Sequence, residues 1–139
     1  MNFNNLNDLF KKIEKDIQDT MTNEVANVTK GKMITAIETA VYDKYTPLHY
    51  DRRKENGGLS DINNISAIPI DNGIMLTNNA PLDNGNTEYS LDDIIVNRGV
   101  LGYQQGRDFY YEATNNLKQD SDLKAALIKG LKRKGYDIK

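Results

Sequence analysis

The chain has no cysteine, one histidine and three prolines in 139 residues. Without cysteine, disulfides and thiolate-bound metals are excluded, and nothing marks an oxidising compartment. His49 is the only imidazole, so a His-rich metal site is excluded too. No apolar run approaches the ~20 residues that a membrane helix needs. The opening MNFNNLNDLF has no basic stretch followed by an apolar block, so no secretory signal is expected. Neither standard phosphate-cradling glycine motif is present. Ser60, Ser66, Ser90 and Ser121 are available to His49, but none sits in a nucleophile-elbow context. The expectation is a chain that is not an enzyme, needs no cofactor or metal, and stays off membranes.

Charge is scarce in net terms and uneven in placement. The formal net charge is −2, which argues against bulk nucleic-acid binding. Residues 62–105 carry five acids (Asp71, Asp83, Glu88, Asp92, Asp93) against one base, Arg98, whereas residues 106–139 carry eight bases against five acids. An acidic middle and a basic end allow one copy to meet another pole to pole. The same counts also suit a mixed, solvated surface. Asp92-Asp93 would bind a hard cation only with outside help; as an acid pair at a helix N-terminus it already answers the helix dipole.

Leu6, Phe10, Ile13, Ile17, Met21, Val25 and Val28 recur at three- and four-residue steps, the stripe of an amphipathic helix that Asn4, Asn5 or Asn7 can cap. Met33, Ile34, Ile37 and Val41 continue it past a stretch around Gly31 that is poor in helix formers. The reading favours one long, bent helix over two. Unbroken to Tyr45, it would run about 60 Å, more than one compact domain of this size can cover. Two β-branched runs, Asn64–Ile70 and Ile74–Asn78, flank Asp71-Asn72-Gly73 and predict a hairpin. Pro69 suits an edge. Asn79–Asn86 reads as a loop, Ser90 as the cap of a short helix ended by Asn97-Arg98-Gly99, and Gly102–Gly106 as a connector. Phe109-Tyr110-Tyr111 suits a strand or the start of a helix to Leu117. Ser121 suits the N-cap of a last helix that buries Leu123, Leu127, Ile128 and Leu131 and ends at Gly135. Tyr136–Ile138 suits a short strand.

The segment that concentrates special residue types is VYDKYTPLHYDRRKENGGL, Val41–Leu59. Thr46 precedes a proline, so the incoming helix should stop near Tyr45. Gly57-Gly58 supplies a turn with positive φ. Tyrosine and arginine between these marks are the side chains favoured at interfaces. Arg52 and Arg53 suit bidentate contacts to a neighbouring carboxylate or phosphate. They equally suit internal bracing onto Asp51, Glu55 or Asp61. Tyr42, Tyr45 and Tyr50 likewise suit either contact or packing on the helix end. Lys132-Arg133-Lys134 suits a solvated helix terminus or a nucleic-acid patch.

The order of residues in Val41–Leu59 resembles the small neck and tail-completion proteins of long-tailed bacteriophages, the head–tail joining or minor tail components. The ending GRDFYYEATNNL…ALIKGLKRKG is similar to that family's closing aromatic segment and amphipathic helix, and the two stretches span about half the chain. The elements read along the chain predict an α+β fold: a long N-terminal helix, a small antiparallel sheet around the D-N-G hairpin, and a C-terminal amphipathic helix packed on the sheet. A chain of 139 residues is expected to form a single domain, 1–139, divided into a helical arm (1–45), an interface loop (46–61), and sheet with C-terminal helices (62–139). The resemblance implies a structural virion protein, made in the host bacterial cytoplasm. This protein would form an oligomeric ring of six or twelve copies between the head connector and the tail-tube or tail-terminator protein. DNA would pass through the lumen without sequence-specific binding. Interface residues would be Tyr42, Tyr45, Tyr50, Arg52, Arg53, Gly57, Gly58 and Leu59. The alternative is a nucleic-acid-binding module using Arg52, Arg53 and the basic C-terminal helix.

Overall fold

The computed structural model describes residues 2–44, 46–82, 90–98 and 106–139. Tyr45, the part of the expected 79–86 loop beyond Leu82, the helix stop at Gly99 and the start of the connector at Gly102 lie outside them.

The apolar stripe folds as one rod. Helix α1 (Leu6–Thr20) passes through a π-helical turn (Met21–Val25) into α2 (Ala26–Ala40), about 50 Å in all at ~1.5 Å per residue. Asn5 caps it, accepting from the Asp8 N–H at 3.0 Å. The rod runs through Gly31 without a break. Glycine there costs about 1 kcal/mol relative to alanine. Burial of Met33, Ala36 and Ile37 one turn later outweighs it, at ~1.5–3 kcal/mol for each large side chain. The irregularity falls earlier, at the π turn. There the hydroxyls of Thr20 and Thr22 donate to the carbonyls of Asp16 and Gln18, at 2.8 and 2.9 Å. Such bonds compete with the backbone ladder and bend helices. A 3-10 turn, Tyr42–Lys44, ends the rod.

Strands β1 (Ile65–Ile70) and β2 (Gly73–Asn78) form the expected antiparallel hairpin, with Ile65 opposite Asn78 and Ile70 opposite Gly73. Asn72 takes φ +60° in the two-residue connection, a conformation asparagine tolerates because its side chain bonds locally. Pro69 lies opposite Ile74, and a two-stranded sheet demands no donor on the other side. The Gln18 side chain donates to the Gly73 carbonyl at 3.1 Å, tying the hairpin tip to the rod.

Helix α3 (Leu91–Asp93) begins at Ser90, whose hydroxyl accepts from the Asp93 N–H, and continues as a π-helical turn, Ile94–Arg98. The aromatic triplet opens a helix, α4 (Phe109–Gln119), because Asp108 caps it by accepting from the Tyr111 N–H at 2.9 Å. Helix α5 (Asp122–Arg133) starts at Ser121, but that hydroxyl makes no capping bond. Asp120 accepts from the Asp122 N–H instead, at 3.1 Å. Gly135, at φ +94°, closes α5 with Tyr136 N–H donating to the Leu131 carbonyl at 3.2 Å. No strand forms at Tyr136–Ile138; the Tyr136 hydroxyl donates to Asp16 at 2.7 Å instead.

Helix α5 packs where the rod meets the hairpin tip. Its leucines and Ile128 are only half-buried, and the positions sunk deepest are Ala126 and Gly130. Small residues are needed because the helices approach closely: a Cβ on Gly130 would sit 2.3 Å from Thr20 Cγ2. The main core lies further along the rod, where Met33, Ala36, Ile37 and Val41 meet Leu59, Ile65, Ala80, Phe109 and Ala113. Phe109 is wholly buried, its ring 4.5 Å from that of Tyr110. The architecture is the expected α+β arrangement of long N-terminal helix, small antiparallel sheet and packed C-terminal helix.

Candidate functional site

The Val41–Leu59 loop has a fixed base and an exposed crest. At the base, Val41, Gly58 and Leu59 are buried, so two of the eight expected interface residues belong to the interior. Tyr42 is half-buried, with the Arg52 guanidinium and the Lys54 ammonium each 5.2 Å from its ring centre. Arg52 Nη1 donates to the Tyr42 carbonyl at 2.8 Å, and Arg53 Nη2 donates to the Pro81 carbonyl. Arg107 Nη1 donates to the Val41 carbonyl at 3.3 Å. The arginines therefore brace the loop through backbone oxygens.

The glycine pair does what its position predicted. Lys54 (φ +45°) and Gly57 (φ +86°) reverse the chain, and Gly58 N–H donates to the Lys54 carbonyl at 2.9 Å. A Cβ on Gly58 would lie 2.6 Å from both Lys54 N and Lys54 O. Asp61 locks the turn, accepting from the N–H groups of Asn63 and Gly57 at 2.9 and 2.8 Å. These donors, Asn63 first, hold its carboxyl below the usual aspartate range.

The crest is Leu48, His49 and Tyr50. Leu48 is 90% exposed and Tyr50 58% exposed. Leu48 was not singled out from the sequence, although an aliphatic residue directly after Pro47 in a polar loop is a readable signal. Beneath the crest, Tyr42, Tyr50, Arg52, Arg53, Leu91 and Arg107 help line a cavity of 150 Å³. Drug-sized ligands need about 300 Å³ or more, so this space suits a single inserted side chain.

A polar network that the sequence did not reveal holds the base to the rest of the fold. Asn78, buried at the end of β2, donates through Nδ2 to the Leu59 carbonyl at 2.7 Å and accepts from the Ala80 N–H at 3.1 Å. The Tyr110 hydroxyl accepts from the Asn78 N–H at 3.0 Å and donates to Asp92 at 2.8 Å. Burial, and then the Asp92 carboxylate, push the Tyr110 hydroxyl far above the usual tyrosine range. Asp92 is thus a buried-network acceptor, while Asp93 pairs with Asn97 and Arg98.

The basic end of the chain meets acids on its own rod. Arg133 pairs with Glu24 and Lys134 with Asp19, while Lys132 is exposed. Asp19 is the main cause of the raised Lys134 pKa, and Lys12 and then Tyr136 lower that of Asp16. Among the described residues no group of three or more His, Cys, Asp or Glu is placed to hold a metal ion, and no helix is long and apolar enough to cross a membrane.

No curated protein and no solved structure matches the chain. A family model does, over residues 5–133, nearly the whole length: the chain belongs to the YomN family, a phage-associated protein family.

Proposed function

We propose that this protein is a structural subunit of a phage neck or tail-completion assembly, forming a ring that joins the head connector to the tail. Its phage-associated family supports the class, and the order of residues in Val41–Leu59 supports the position. The observation that carries the reading is the build of that loop. Three arginines and the Asn78 network fix its base, yet it lifts Leu48 and Tyr50 into solvent. An exposed aliphatic and an exposed tyrosine on a preorganised support lose little conformational entropy on docking. That is the build of an interface hot spot. Leu48 and Tyr50 would bury themselves on a neighbouring subunit or connector, with Arg52 and Arg53 holding them in place. Closed head-to-tail contacts then generate a cyclic assembly, for which six or twelve copies suit a neck.

Complementation of a phage lacking this gene tests the proposal. Leu48→Asp should leave the subunit's thermal unfolding unchanged, since Leu48 is 90% exposed, while heads and tails accumulate unjoined. Normal yields of joined particles from that variant would overturn it.

A further inference from the structure

Outside the loop, the molecule's most conspicuous unsatisfied feature is the free half of the rod. Phe3, Leu6, Phe10 and Ile17 are between 38% and 68% exposed, and Ile70 at the hairpin tip is 49% exposed. At this exposure each side chain leaves on the order of 100 Å² in water. The five together match the largest apolar patches that monomers usually show.

The spacing identifies the occupant. Leu6, Phe10, Ile13 and Ile17 follow one another at four-, three- and four-residue steps, the alternating seam of a two-helix coiled coil. Turned end for end, this seam matches itself, Leu6 facing Ile17 and Phe10 facing Ile13 in the second copy. The flanking charges agree. Glu14 and Lys11 share one flank of α1, and neither has an ion-pair partner among the described residues. The antiparallel arrangement sets Glu14 of each copy beside Lys11 of the other; a parallel one sets it beside Leu9. A membrane surface is a poorer match, because the charges of α1 are mixed: Lys11, Lys12 and Lys15 against Asp8, Glu14, Asp16 and Asp19.

We infer that in solution two copies pair antiparallel through α1, with Leu6 of each against Ile17 of the other. This pairing uses no residue of the Val41–Leu59 loop, so it stands or falls apart from the ring.

The absence of cysteine makes the test direct. Sedimentation of the full chain should show a dimer at micromolar concentration, and Phe10→Glu should give a monomer with unchanged helical circular dichroism. Under mild oxidation, Leu6→Cys mixed with Ile17→Cys should yield a cross-linked pair, and neither variant alone should, because like positions lie about 16 Å apart along the rod. A chain that stays monomeric up to about 100 μM overturns the inference. So does a Leu6→Cys variant that cross-links to itself, which indicates a parallel pair. An oligomer in which the mixed cysteines do not react overturns it too, since a different surface then holds the copies together.

Discussion

The two halves of the rod are similar in sequence and opposite in fate. Leu6, Phe10, Ile13 and Ile17 in the first half are as apolar as Met33, Ile34, Ile37 and Val41 in the second. The second set is buried or packed against the core by Leu59, Ile65 and Phe109, while most of the first remains in water. Periodicity reports that a helix has an apolar face. It does not report which part of the chain, or which molecule, covers that face.

The sharpest way to break this contrast is to truncate the same residue type on each side of it. Phe109→Ala should cost about 3–5 kcal/mol in urea unfolding, because it empties a fully buried site. Phe10→Ala should cost no more than about 0.5 kcal/mol in dilute protein, and its effect should grow with concentration if a second copy covers it. Equal losses from the two would show that α1 is buried within one chain.

Where α5 crosses the rod, Gly130→Ala should lower stability by about 1–3 kcal/mol, since its Cβ meets Thr20 Cγ2. Thr20→Ser in the same chain should recover part of the loss, because it removes that methyl group. A thermal melt of the single and double variants reads both effects.

Tyr110→Phe should cost about 1–2 kcal/mol, because it leaves the Asn78 N–H and Asp92 short of a partner. Hydrogen exchange at Asn78 should accelerate while that of α1 does not change.

The smallest expected effect is on pH dependence. Asp16 and Asp19 are held below their ordinary range, by Lys12 and Lys134 first. The stability they contribute is complete above the ordinary aspartate value of about 4 and is lost as pH falls through their lowered values. Lys134 is raised, so its share is lost only as pH climbs past the usual lysine range. Acidification should therefore loosen the end of α5 before it disturbs Phe109. Amide exchange followed from pH 5 downward should show Leu131–Lys134 opening first.

Local chemistry settled much of this molecule in advance. The Asp71-Asn72 connection, the cap at Ser90 and the stop at Gly135 follow from residue types that only a few backbone conformations accept. So does the Gly57 turn. The rod's continuity through Gly31 follows from the apolar stripe and against local propensity, and its π turn at Met21–Val25 was not legible. That turn coincides with the crossing of α5, a contact between residues more than a hundred positions apart.

The candidate site divides the same way. Sequence alone marked Val41–Leu59 as a built loop, since tyrosine, arginine and paired glycines have few other reasons to gather in nineteen residues. Only the tertiary structure decided which of them face inward. Arginine bonds as readily to a carbonyl as to a carboxylate, and a leucine's exposure depends on what happens to lie opposite it. Leu59 therefore went to the core and Leu48 to the crest, a choice made by the packing of distant segments rather than by any property of leucine.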